Sequence, residues 1–336
     1  MDGPPSLKTL LKRGALIAAA NWQVVTAQFI AETAFKILLT VPLIGGVLLV
    51  VLVVGGDVVA LASGDLRSTI ATVADALAAR PAALALFFVA LLLAVVGGAA
   101  LVFFVKGGTV TVLVGADRRC PPVAWSPPGL HGLADMSGFS MEAFMDGSTR
   151  LFGRYLRLGL VLIAGYAVSG AVYLAVIYGI YQRMGDARGP LVWPVAAAAC
   201  SIGLVIWIAA VNLVYVLVQI VMAADRCGVR TSVARVAALL RARGRGVIAV
   251  FAVVFGLVML ATAVSVVAAA GLSLIAFVPL AGVAVLPLQA AAWLLRGLVF
   301  QYLALTAVGA YVAQYRGFRE SDANPARAGD AAAPTP

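Results

Sequence analysis

The sequence predicts an all-α fold, a polytopic bundle of about six transmembrane helices with amphipathic helices at the cytoplasmic surface. Three observations predict it. Hydrophobic residues make up 63% of the 336 residues and charged residues 11%, against roughly 25% charged in soluble domains. Apolar runs of about 20 residues, long enough to cross a hydrocarbon core, recur along the chain. Threading those runs across a bilayer sorts Lys and Arg strongly by side. A soluble fold is excluded, and the spans with their short connections leave no room for a sizeable soluble domain.

Residues 1–36 read as an interfacial segment. Leu7, Leu10, Leu11 and Leu16 alternate with Lys8, Lys12 and Arg13, and Trp22, Phe29 and Phe35 follow. This pattern lays basic residues against headgroups and aromatics at the acyl boundary. No cleavable signal peptide is expected, because Asn21, Gln23 and Gln28 interrupt the apolar run after Ala20. Glu32 and Lys36, acid first and four apart, are expected to form a helical ion pair just before the first span.

The six-span membrane domain covers 37–316, with spans near 37–56, 81–105, 159–181, 191–224, 247–269 and 286–315. Between the first two, Leu66, Ile70, Val73 and Leu77 keep helical spacing and predict a surface helix that Pro81 ends. Gly97-Gly98 and Gly107-Gly108 leave room for a neighbouring helix, as small residues do in bilayers. Asp117 to Gly138 is irregular and Pro-rich, and holds the single histidine, His131. Met141, Phe144, Met145, Phe152 and Tyr155 then share one helix face, with Arg150, Arg154 and Arg157 opposite. A second such helix spans Thr231 to Arg245: Val233, Val236, Ala237 and Leu240 face one way, and Arg235, Arg241, Arg243 and Arg245 supply the charge. Arg150, Arg154, Arg157, Arg235 and Arg241 are the expected lipid-surface contacts. Asn212 and Gln219, seven apart in the fourth span, are expected to bond neighbouring helices. From Gly246 to Tyr315 the only charge is Arg296; three spans would also fit that length and would put Arg296 at a turn. Residues 317–336, rich in Ala, Pro and charge, are expected to be disordered.

With six spans, eighteen of the 24 Lys and Arg side chains fall on one side and four on the other. The positive-inside rule then puts both termini in the cytoplasm of a bacterial inner membrane. The same layout exposes a repeat, a basic amphipathic helix followed by a membrane hairpin, three times over. Two of its joints share a signature: Asp117-Arg118 after Val114-Gly115-Ala116, and Asp225-Arg226 after Met222-Ala223-Ala224. Tyr315-Arg316 ends the third hairpin.

No HExxH, GxSxG, CxxC or P-loop is present. Cys120, Cys200 and Cys227 form no ligand pattern and read as structural, so neither cofactor nor metal is expected. Asp146-Gly147 followed by Arg150 matches the opening of the CDP-alcohol phosphotransferase signature, but the later aspartates do not follow. Segregated aromatic and basic faces argue against nucleic acid. Through its Gly- or Ala-rich span ends and its basic helices at Met141 to Leu156 and Val233 to Leu240, the chain from Ala15 to Arg316 resembles uncharacterised bacterial six-span proteins akin to the membrane domain of some glycerophosphodiester phosphodiesterases. The resemblance implies a six-span membrane fold and carries over no catalytic residues, since the phosphodiesterase domain has no counterpart here.

The expected function is that of a non-enzymatic scaffold or accessory subunit whose basic helices contact anionic lipid or a membrane or cytoplasmic protein partner. A transporter or lipid-handling permease is the alternative, with Glu32, Lys36, Asn212, Gln219, Gln289, Arg296 and Gln301 along its path. A membrane enzyme acting on lipid headgroups is a third reading, and needs Asp117 and Asp225 close together. Those two, with Arg118 and Arg226, are the candidate site residues; helix-end anchoring is the competing role for all four.

Overall fold

A computed structural model describes residues 6–54, 79–120, 136–184, 192–276 and 281–323. Among them the chain is helical throughout: α1 (Leu7–Ala20), α2 (Trp22–Val54), α3 (Pro81–Arg119), α4 (Met141–Met184), α5 (Val192–Asp225), α6 (Val229–Ala276) and α7 (Ala281–Ala323). Six of these helices, all but α1, are long and apolar enough to cross a membrane. The protein is therefore an all-α polytopic membrane protein. The expected surface helix carrying Leu66, Ile70, Val73 and Leu77 and the Pro-rich stretch with His131 lie outside the described residues.

The chain divides into two compact units, one drawn from Met1–Thr26 with Gly107–Pro336 and one from Ala27–Lys106. In the smaller unit the ring of Phe35 lies against Gly98, and Phe87 lies against Gly46, so that a β-carbon at either glycine would collide. Glu32 accepts a hydrogen bond from Gln28 (3.0 Å) and attracts Lys106. The expected Glu32–Lys36 ion pair does not form: Gln28 holds the carboxylate and Lys36 stays exposed.

In the larger unit, helix length exceeds what a bilayer needs. At about 1.5 Å per residue, the 44 residues of α4 run to about 66 Å and the 48 of α6 to about 72 Å, against a hydrocarbon core of about 30 Å. The surface helices and the spans that follow them are thus continuous in α4 and merged across a kink at Arg243 in α6. Burial divides these helices lengthwise. Val110 to Ala116, Leu217 to Met222 and Ala310 to Ala313 are buried at one end, whereas Leu160, Val172, Ile206, Val264 and Leu295 are exposed further along. The tight packing is at the ends that lie next to the two Asp-Arg joints.

Sequence spacing explains which faces are buried there. Phe144, Ser148, Leu151, Tyr155 and Leu158 keep helical spacing along α4 and are all buried, while Met141 and Met145 stay exposed. The apolar stripe predicted for lipid is therefore split, with Phe144 and Tyr155 packed inside the protein. In α6, Val236 and Leu239 are buried and Val233 is exposed. Helix α1 packs on α7 where two glycines meet: a β-carbon on Gly14 would lie 2.3 Å from the Thr306 carbonyl oxygen. Likewise, a β-carbon on Gly107 would lie 3.1 Å from the Gly147 carbonyl oxygen.

Two boundaries differ from expectation. Asn21, fully buried, interrupts the N-terminal segment between α1 and α2. The apolar stretch after Gly246 belongs to two helices, as the six-span layout expects, with Arg296 inside α7. The helix also continues to Ala323, so the first part of the tail expected to be disordered is ordered. Arg316 bonds Glu320 one turn on (2.8 Å), and Arg319 reaches Asp225, which holds that extension in place.

Candidate functional site

A helix that ends inside a protein leaves its last carbonyls without intrahelical partners and a partial negative charge at that end. Here α5 ends on Asp225 and α3 carries Asp117 in its last turn, which adds a full negative charge to each end, and arginines from elsewhere supply donors to both.

At the first joint Asp117 is buried, and its Oδ1 accepts from Arg13 Nε at 2.7 Å. A second Arg13 nitrogen donates to the Asp117 carbonyl at 3.1 Å. Arg316 Nη1 donates to the same carbonyl at 2.6 Å and to that of Cys120 at 3.0 Å, and stands 3.6 Å from Asp117 Oδ2. That oxygen has no hydrogen bond of its own. Arg13 is only 1% exposed, which corrects the expectation that it faces headgroups beside Lys8 and Lys12. Its place in the stripe Leu10, Arg13, Gly14, Ile17 puts it on the packed face of α1, while Lys8 and Lys12 remain outside.

The second joint uses different partners. Asp225 accepts from Arg235, Arg319 and the Tyr315 hydroxyl. The hydrogen bond and charge of Asp225 push the Arg235 guanidinium further above its ordinary value. Arg235 and Arg319 are 42% and 56% exposed along their side chains, so this cluster is open to water where the first is closed. Arg226 follows at φ 52°, in the left-handed region where glycine usually ends a helix.

Arg118 crosses from one joint to the other and donates to the Ala224 carbonyl. Asp117, Arg118, Asp225, Tyr315, Arg316, Arg319 and Glu320 together line a cavity of about 310 Å³, closed on its apolar side by Val114, Ala224 and Val312. The two aspartates thus face one space, although 108 residues separate them. Both carboxylates are already engaged by guanidinium groups. Among the described residues no group of three His, Cys, Asp or Glu side chains could hold a metal.

Three arginines reach across to the last turns of three helices, two of them to terminal carbonyls and Arg243 to α7 nearly two turns before its end. Arg13 serves the end of α3; Arg154 donates to the carbonyls of Arg226 (3.2 Å) and Cys227 (3.3 Å) just past α5; Arg243 donates to the Gly317 carbonyl (3.1 Å) and the Ser321 hydroxyl (2.7 Å) on α7. Each lies in or just after the amphipathic stretch that precedes the hairpin it binds. Asn21 adds a further tie: it donates to the Met136 carbonyl (3.0 Å) and accepts from the Gly138 amide (2.8 Å).

The other predicted residues are scattered. Asn212 accepts from the Tyr166 hydroxyl on α4 at 2.7 Å. The Gln219 carbonyl accepts from Tyr155 at 2.9 Å, and its side chain lies buried beside the Tyr215 hydroxyl. Arg150 lies 3.5 Å from Asp146, Arg157 and Arg241 are exposed, and Gln301 is buried. Gln289 and Arg296 line a separate groove between α6 and α7. Arg13, Asn21, Tyr315, Arg316 and Arg319 are the site residues sequence reasoning missed. For Arg13 a signal existed, since an arginine in the middle of an apolar stripe needs a buried partner. Tyr315-Arg316 stands where the other joints have Asp-Arg, and that correspondence marks both residues.

No family model matches the chain, and no curated protein or solved structure matches it.

Proposed function

We propose that this is a non-enzymatic scaffold or accessory subunit of a bacterial inner membrane, with both termini cytoplasmic and its basic helix ends resting on anionic lipid. One observation carries the reading: each aspartate at the shared cavity is already neutralised by two guanidinium groups, while a further set of cations remains unengaged and exposed. Arg157, Arg230, Arg241 and Arg245 are exposed on the amphipathic stretches, and Lys8 and Lys12 on α1. Residues bound this way serve better as a clamp than as acid, base or nucleophile. In each of the three copies an arginine of the amphipathic stretch binds the last helix of the hairpin that follows, which gives the clamp its logic. An anionic surface attracts such cations by about 1 kcal/mol each.

The test compares nanodiscs of neutral and anionic phospholipid. Wild type is expected to melt at higher temperature in the anionic discs, and a combined Arg157→Gln, Arg241→Gln, Arg245→Gln variant is expected to lose most of that difference. Equal melting in both discs, with a soluble protein crosslinked to the basic helices in cells, would replace lipid by a protein partner.

A lipid-handling permease is the second reading, favoured by the presence of Gln289 and Arg296 in one groove. Loss of lipid transfer in reconstituted Arg296→Ala vesicles with normal assembly would support it.

A further inference from the structure

We propose that the groove between α6 and α7 holds one phospholipid, with an acyl chain along the groove and the phosphate on Arg296. The groove has a volume of about 780 Å³, within the roughly 300–1,000 Å³ typical of ligand sites. Leu257, Leu260, Val264, Leu272, Val299 and Leu303 make its wall apolar. Ser265 and Ser273 also reach it, but each hydroxyl is bonded to a carbonyl of its own helix, at 2.7 and 2.8 Å. Of the remaining polar side chains only Arg296 is charged, and Gln289 adds one amide seven residues away, so the ligand that fits has an anionic head and a long apolar remainder.

Arg296 is the one charged residue between Gly246 and Tyr315. It is exposed, and among the described residues no carboxylate pairs with it. An arginine in a lipid-facing segment needs a partner or a route to the interface, and its planar fork of donors matches phosphate.

The Arg296 guanidinium carbon lies 5.6 Å from the centre of the Phe300 ring, one turn on, a cation–π contact that leaves its N–H donors for a phosphate. Tyr302, six residues further and about 9 Å along the axis, donates to the Ala15 carbonyl at 3.1 Å. Tyr302 and Leu298 share a hollow with Trp22, which is 62% exposed and of the type that marks membrane interfaces. Arg296 lies midway along the groove's α7 wall, which runs from Gln289 to Leu303, so the head binds partway along the groove and an acyl chain follows its apolar wall. This inference does not depend on the basic surface helices.

Native mass spectrometry of protein released from nanodiscs of its expression host's own lipid tests it. Wild type is expected to retain one phospholipid per chain. Arg296→Gln should lower that occupancy at least tenfold and Arg296→Lys by less. Ala268→Phe, which fills the groove and leaves Arg296 intact, should also lower it at least tenfold, whereas Val267→Phe on the neighbouring exposed position should leave it unchanged. If Arg296→Gln fails to assemble, Ala268→Phe against Val267→Phe carries the test alone. Occupancy within twofold of wild type in the assembled groove variants, no retained lipid in wild type, or a retained fatty acid without phosphorus would each overturn the proposal.

Discussion

The two Asp-Arg joints share a sequence signature and are built differently. Asp117 is enclosed, with Arg13 buried beside it and Arg316 covering its carbonyl. Asp225 keeps its carboxylate covered but takes its charge partners from exposed Arg235 and Arg319. The difference follows from what packs over each. Helix α1, pressed onto α7 through Gly14, covers the first joint, whereas the carboxylate of the second takes its partners from the amphipathic start of α6 and the end of α7. A buried pair contributes little net energy when intact yet is costly to break, because the remaining charge is stranded. An exposed network is worth less and is screened by salt.

The comparison breaks most visibly at the first joint. Asp117→Asn or Arg13→Ala is expected to destabilise the protein by about 3–5 kcal/mol, read as the fall in thermal unfolding temperature in detergent. An Arg13→Met, Asp117→Leu double variant should recover most of that loss, which a stranded charge explains and a lost contact does not. Gly14→Ala, whose methyl would press on the backbone of α7, should cost about 1–3 kcal/mol. At the second joint Asp225→Asn should cost only about 1 kcal/mol. Its effect should shrink between low and high salt while that of Asp117→Asn does not, so equal salt response at both sites would erase the distinction. Tyr315→Phe removes one hydrogen bond to Asp225 and should cost about 1 kcal/mol. The smallest effect has the opposite sign: Arg226→Gly relieves a left-handed residue and should gain up to about 1 kcal/mol, visible as a small rise in melting temperature.

The joints themselves were legible because each follows a long apolar run, and a run is a local property. Asn212 shows the same: an amide in a span needs a partner, and Tyr166 provides it. Arg13 was read as a surface residue because three cations close together, Lys8, Lys12 and Arg13, resemble a headgroup-facing cluster; only the phase of the helix separates the third from the others. The Glu32–Lys36 pair failed for a related reason. Spacing of four permits an ion pair but does not choose it over Gln28 and Lys106.

Hydropathy and charge along the chain were enough to determine a six-span helical membrane protein, because burying a backbone in lipid requires long apolar helices whatever they pack against. Tertiary structure decided which arginine binds which helix, that Asp117 and Asp225 share one cavity, and that Arg296 faces an apolar groove. Those depend on pairs such as Arg13 with Asp117 and Arg316 with Asp117, 104 and 199 residues apart. No local periodicity encodes such pairings; they follow from the close approach of α1 to α7 and from the shortage of other counter-charges at the packed ends.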